Sequence, residues 1–327
     1  MSKYGADSFA VLLVDGYNLI ASLSDAASMG KESITSQTNG FGATSEQHSP
    51  IGIEKGMLSQ GGGFFDTATD ALHTALGGIS QVSRIIVAVI EGNVIGKHFM
   101  GFEGAYNQKY EVIDARDNLV RANVTYLVNG QVDEGVLVQH LATFTADWDT
   151  KTGGANATDA PVDYTLDNMN RSINLVSNSV ANPTVVTTEK AHGLATGAKV
   201  LIAGVTGSTP TINGERTVTV TDATHFTVPV NVTVGGSGGT IVRANSPSGG
   251  VGYLQVNALS GFSGVDIKIM HSPDDVTYAA LVTFATVTTA PNKERKVVAG
   301  TVDRYLSNNG DVTGSGSVSV LTGFARY

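Results

Sequence analysis

The chain has 327 residues, of which 41% are hydrophobic and only 15% charged, with 39 glycines and no cysteine. That is length and apolar content enough for two or three domains, and the missing cysteines exclude disulfides, thiolate nucleophiles and cysteine metal sites. The net charge of −9 excludes a protein that grips nucleic acid phosphate by bulk charge.

The charge is uneven. Residues 1–140 carry 8 Lys and Arg against 15 Asp and Glu, residues 141–244 carry 6 against 8, and residues 245–327 carry 6 of each. Val and Thr recur throughout, and both suit pleated surfaces. The expected class is therefore mainly β: a β-sandwich with one flanking α-helix, followed by two further small all-β domains.

In chain order, SFAVLLVDGYNLIASL (8–23) holds two apolar runs broken by Asp15-Gly16, a hairpin signal. SITSQTNGFGATSEQH (33–48) is polar and reads as an exposed hairpin or long loop. Residues 53–60 read as a short strand. After three glycines comes FFDTATDALHTALGG, where Ala68, Ala71, Leu72, Ala75 and Leu76 share one helical face, with Asp66 or Thr67 as cap. This predicts a helix over about 67–77. Strands then resume to about residue 148. Residues 149–172 are polar and read as a linker with one short strand. Residues 173–244 read as a small barrel or sandwich, with strands near 184–188, 199–204, 216–221, 225–229 and 240–243. Residues 245–327 read as a third β domain, one that residues 130–170 could complete.

Seven histidines occur, none at HxH, HxxxH or HExxH spacing. No GxSxG and no phosphate loop are present. Neither catalytic residues nor cofactor or metal sites are assigned, and the chain is expected not to be an enzyme. Asp114, Asp117, Asp274 and Asp275 read first as turn acids; the alternatives are paired carboxylates or a calcium site from Asp15, Asp114 and Asp117, and calcium ligation by Asp274 and Asp275. His192, before Gly193, reads as a residue that pins a turn by hydrogen bonding. Trp148 reads as core or a domain seam; the alternative is a sugar-stacking platform, for which Tyr253, Tyr278 and Tyr305 are the other candidates. The first eight residues lack the pattern of a secretory signal, and no apolar run is long enough for a membrane helix.

Two resemblances add to this. AHGLATGAKVLIAGVTG, ING and ERTVTVTDATHFTV, in that order, resemble a small β module found in tailed-phage virion proteins. It is similar to the first catalytic cysteine half-domain of ubiquitin-activating enzymes, without the cysteine chemistry. LLVDGYNL, GIEKGMLSQGGGFFDTATDALHTAL and YEVIDARDNLVRANVTYLVNG carry a pattern that resembles the tail tube protein of long-tailed phages. That resemblance implies a subunit that forms rings, the rings stacking into a hollow tube through which DNA passes without specific binding. It implies self-association as a hexamer, or as a trimer if the chain holds two tube domains. Tape measure, tail tip and terminator proteins would be the other partners, in the virion tail and in host cytoplasm during assembly. Asn39, Gly40, Phe41, Gly42 and Glu46 would reach a neighbouring subunit; Glu111, Asp114 and Asp117 would be lumen acids. Another virion part, such as a fibre, baseplate or decoration protein, and a carbohydrate-binding β protein stay open beside it.

Overall fold

The structure is a computed structural model that describes residues 10–22, 27–37, 48–64, 72–77, 83–114, 120–149, 161–166 and 172–327. The fold is mainly β. The first part carries β1 (Val11–Val14), β2 (Tyr17–Asn18), β3 (Ala27–Gln37), β4 (His48–Phe64), α1 (Leu72–Leu76), β5 (Arg84–Val89), β6 (His98–Asp114), β7 (Val120–Val128) and β8 (Val132–Phe144). Two short strands follow, β9 (Trp148–Asp149) and β10 (Val162–Asp163). Then come β11 (Ile173–Asn178), β12 (Thr184–Thr188), β13 (Lys199–Ala203), β14 (Gly214–Thr217), β15 (Thr219–Val220), β16 (His225–Val228) and β17 (Thr240–Arg243). The chain closes with β18 (Gly250–Ser272), β19 (Ala279–Thr283), β20 (Asn292–Val298) and β21 (Tyr305–Arg326).

Of the helix expected over 67–77, residues 67–71 lie outside the described residues. Among the described residues it is one turn, Leu72–Leu76, closed by Gly77 N–H donating to His73 O at 2.7 Å. It is held by Ala75 and Leu76, buried against β7 and its neighbours. The expected caps Asp66 and Thr67 lie outside the described residues.

The apolar runs VLLV and IIVAV are explained by burial on both faces. Successive side chains of a strand point to opposite sides. Leu12, Val14, Ile86 and Ala88 enter one core with Leu58, Phe102, Val124 and Tyr126. Val11, Leu13, Val87 and Val89 enter another with Phe99, Leu137, Val251, Tyr253 and Leu321. The second core is the inside of a barrel. The ladder runs without a break through β18, β21, β8, β6, β5 and β1, and the registers put those side chains on one face of it. Gly101 makes room inside: a Cβ there would lie 2.5 Å from the Tyr253 ring.

Residues 1–148 and 245–327 therefore share one interior. The cause is β8, which pairs with β6 on one side and with β21 on the other. Outside the barrel, Leu254, Val256, Val265, Ile267 and Ile269 of β18 share a third core with Val318, Val320 and Phe324 of β21. Both strands carry register shifts, at 256–264 on β18 among them, and such bulges let a strand turn a corner and pack onto its own sheet. Trp148 and Val162 complete this core, so residues from the expected linker belong to the C-terminal unit.

The inserted stretch 173–243 has its own sheet, in the order β14-β13-β17-β11-β12-β16-β15. Its two end strands are consecutive in the chain, joined through buried Val218, whose N–H donates to Ala198 O at 2.9 Å. The sheet thus returns on itself around Val186, Val200, Ile202, Val228 and Phe226.

Candidate assembly surfaces

Strands β3, β4, β7 and β6 form a ribbon in which β4 pairs β3 and β7, and β7 pairs β6. Register places Gly30, Met57, Leu127 and Tyr106 in one row across it. Glu32 and Lys55 lie beside that row on the same face, and Thr125 with Lys109, then Asn123 with Glu111, lie on its other side. Met57 is 41% and Leu127 43% exposed, whereas Leu58 and Tyr126, one residue along each strand, are buried. One face of the ribbon covers the core and the other is open.

The ribbon also ends in an edge. β3 spans 11 residues and pairs only with β4 among the described residues. The other edge strands are shorter: β2 has 2 residues, β19 has 5 and β20 has 7. An unpaired row of N–H and C=O groups is a template for another chain, and a long one the more so.

The expected contact residues Asn39, Gly40, Phe41, Gly42 and Glu46 lie outside the described residues, as does Asp117. β3 and β4 pair out to Gln37 and His48, so these contact residues fall between the paired ends. Asp114 ends β6. Glu111 is exposed but sits 2.6 Å from Lys109 Nζ, so its charge is locally offset. The open face, with Glu32, Lys55, Lys109 and Glu111, alternates in sign.

Two of the four stacking candidates are corrected. Trp148 is 2% exposed, stacked on Phe144 at 4.3 Å, and donates to Asn308 Oδ1 at 2.6 Å. Gly310 leaves the space for it, since a Cβ there would lie 2.1 Å from the indole. Tyr253 is fully buried in the barrel and donates to Asp133 Oδ2 at 2.5 Å. Neither ring offers a face to a sugar. Tyr278 and Tyr305 are half-buried; Tyr278 donates to Asp275 Oδ1 at 2.7 Å, and Arg304 covers the Tyr305 ring at 4.9 Å.

His192 is buried and works as a turn residue. Its Nδ1 accepts from Leu194 N–H at 3.0 Å, and its ring meets Phe226 edge-on at 5.5 Å. Asp274 likewise accepts from the backbone N–H of Val276 and Thr277, both at 3.0 Å. These bonds hold its carboxyl below the usual range. Asp222 is a second such acid: bonds from the Thr224 backbone and from His225 lower its carboxyl to about 2. Among the described residues no group of three or more His, Cys, Asp and Glu is placed to hold a metal ion.

The residues that sequence reasoning missed are those joining the two parts of the body. Asp133 lies on the barrel's inner face and receives Tyr253 together with Arg295, whose Nη2 is 2.9 Å away. Arg295 also reaches Glu103 at 2.7 Å and donates to Tyr327 Oη at 3.2 Å. Burial and the Asp133 charge raise the Tyr253 hydroxyl well above its ordinary value. A buried charge needs such a partner, but Asp133 and Arg295 are 162 positions apart and no local pattern links them. No protein-family model matches the chain, and no curated protein matches it.

Proposed function

We propose that the chain is a structural subunit of a bacteriophage tail, a tail tube protein whose copies join into rings that stack around a lumen. The observation that carries this is the β3–β4–β7–β6 ribbon, with an open face bearing Met57 and Leu127 and an 11-residue edge strand, β3, that pairs only with β4 among the described residues. An edge of that length is a hazard in a monomer and is used up by ring closure. The inserted barrel, with both ends of its sheet joined, suits decoration rather than ring contact.

The arrangement of the body favours three subunits per ring over six. Two sandwich-like cores lie on either side of the barrel, one built on β4, β6 and β7, the other on β18 and β21. Each chain would then supply two tube units. Tape measure, tail tip and terminator proteins would be its further partners, in the virion tail.

Negative-stain electron microscopy of the purified chain over a concentration series tests this. Hollow tubes or rings of uniform diameter are expected, with three subunits per ring in rotational averages. Monomers that persist at high concentration, with and without tail-tip proteins, would sink the reading.

A further inference from the structure

Among the described residues the barrel is closed by backbone ladders at every junction but one. β18–β21, β21–β8, β8–β6, β6–β5 and β5–β1 are all hydrogen-bonded ladders. The last junction, where the β1–β2 turn and the start of β5 meet β18 and β20, is made by side chains. Gly16 N–H donates to Gln255 Oε1 at 2.6 Å, Asn257 Nδ2 donates to Gly16 O at 3.0 Å, and Gln255 Nε2 donates to Ile85 O at 3.1 Å. Asp15 sits at the centre. It accepts from Ile85 N–H at 2.9 Å and from Arg84 Nη1 at 3.1 Å, and it pairs with Lys293 of β20.

The fit there is close and demanding. Asp15 has φ 54° and Gly16 φ 90°. A Cβ on Gly16 would lie 2.6 Å from Val256 O and 2.8 Å from Asn292 N. The buried Arg84 Nε finds no hydrogen-bond partner among the described residues. Behind the seam lies the apolar interior, with Leu13, Val251 and Tyr253 all fully buried.

We propose that this seam is the one line along which the barrel parts locally without unfolding, and that the Asp15–Lys293 pair latches it. Separating side-chain contacts breaks a handful of bonds; separating any other junction breaks a ladder. Parting frees the outer edges of β2 and β20 and opens the interior at Leu13. The inference does not rest on the tail reading.

The chain has no cysteine, so a single introduced thiol reports access without background. Leu13→Cys places it inside the barrel beside the seam. Val320→Cys places it in the third core, at a position equally buried. Labelling of the full chain with a thiol reagent is expected to be about tenfold or more faster at position 13 than at 320. Adding Asp15→Asn is expected to speed position 13 by about another tenfold and leave 320 unchanged, while Lys293→Arg keeps the slow rate. Equal rates at both positions, or equal acceleration by Asp15→Asn, would mean that the barrel opens only by global unfolding, and would overturn the proposal. If the doubly substituted chain fails to fold, amide exchange in the unsubstituted protein decides. Faster exchange at Gly16 than at Leu137, whose N–H donates to Lys97 O at 2.8 Å, supports the seam; equal exchange at the two refutes it.

Discussion

The inserted barrel and the ribbon of the body solve the edge problem in opposite ways. In the insert, β14 and β15 stand at the two ends of one sheet and are separated in the chain only by Val218. Closure is local, and no long edge is left over. In the ribbon, β3 lies at the end of a path through β4, β7 and β6, and it remains an edge. The insert closes on itself, whereas the ribbon keeps an edge among the described residues.

That contrast is breakable. The largest effect is expected from charge on the open face of the ribbon. Met57→Asp with Leu127→Asp should reduce assembly about 100-fold or more, measured by sedimentation, because an interface core tolerates no unpaired charge. The melting of the monomer should hardly change, since both side chains are exposed. Assembly that survives the double substitution would move the contact surface elsewhere.

Core truncation in each region should separate the two next. Trp148→Ala and Phe226→Ala each remove a large buried ring and are expected to cost about 3–5 kcal/mol of the stability of their own unit. Denaturant melts should show loss in the body for the first and in the insert for the second. Only the first should impair assembly. A Phe226→Ala chain that no longer assembles would mean that the insert takes part in the ring.

Within the body, Tyr253→Phe keeps the ring that fills the barrel and removes the hydroxyl that Asp133 accepts from. A buried polar group left short of a partner costs about 1–3 kcal/mol, read as a lower denaturation midpoint. Within the insert, His192→Ala removes the acceptor for Leu194 N–H and is expected to cost about 1 kcal/mol, with the surrounding turn the first segment to exchange.

The smallest effect is the acid dependence that Asp222 gives the insert. The Asp222 carboxyl has a folded value of about 2 against 3.8 in the unfolded chain. A depressed carboxyl contributes stability that is present above the unfolded value and lost as pH falls through the folded one. The insert should therefore weaken between pH 3.8 and about 2, and Asp222→Asn should flatten that slope. An unchanged slope in an acid titration of the variant would remove Asp222 from the account.

The same contrast explains what was legible. The strands near 184–188, 199–204, 225–229 and 240–243 are found with small shifts at β12, β13, β16 and β17. The turns at Gly193, Gly207 and Gly214 carry positive φ of 58°, 81° and 104°. His192 pins its turn through Leu194. These features are local: each is decided by a turn residue and its flanking alternation. β11 was missed because INLVSN has a bulge between Leu175 and Ser177 that breaks the alternation. The expected Asp15-Gly16 hairpin is present, for the same local reason.

What the sequence determined by itself was the class: a mainly β chain with few charges and many turns, a hairpin at Asp15-Gly16 and a self-contained unit at 173–243. Periodicity and turn chemistry act over a few residues, and those features need nothing more. What only the tertiary structure decided was which strands share a core. β8 joins residues 1–148 to 245–327, Trp148 and Tyr253 become interior rings, and Asp133 meets Arg295 across the barrel. A strand buried on both faces reads as an undivided apolar run whichever partner it takes, so its pairing is chosen by the packing of distant segments and not by its own residues.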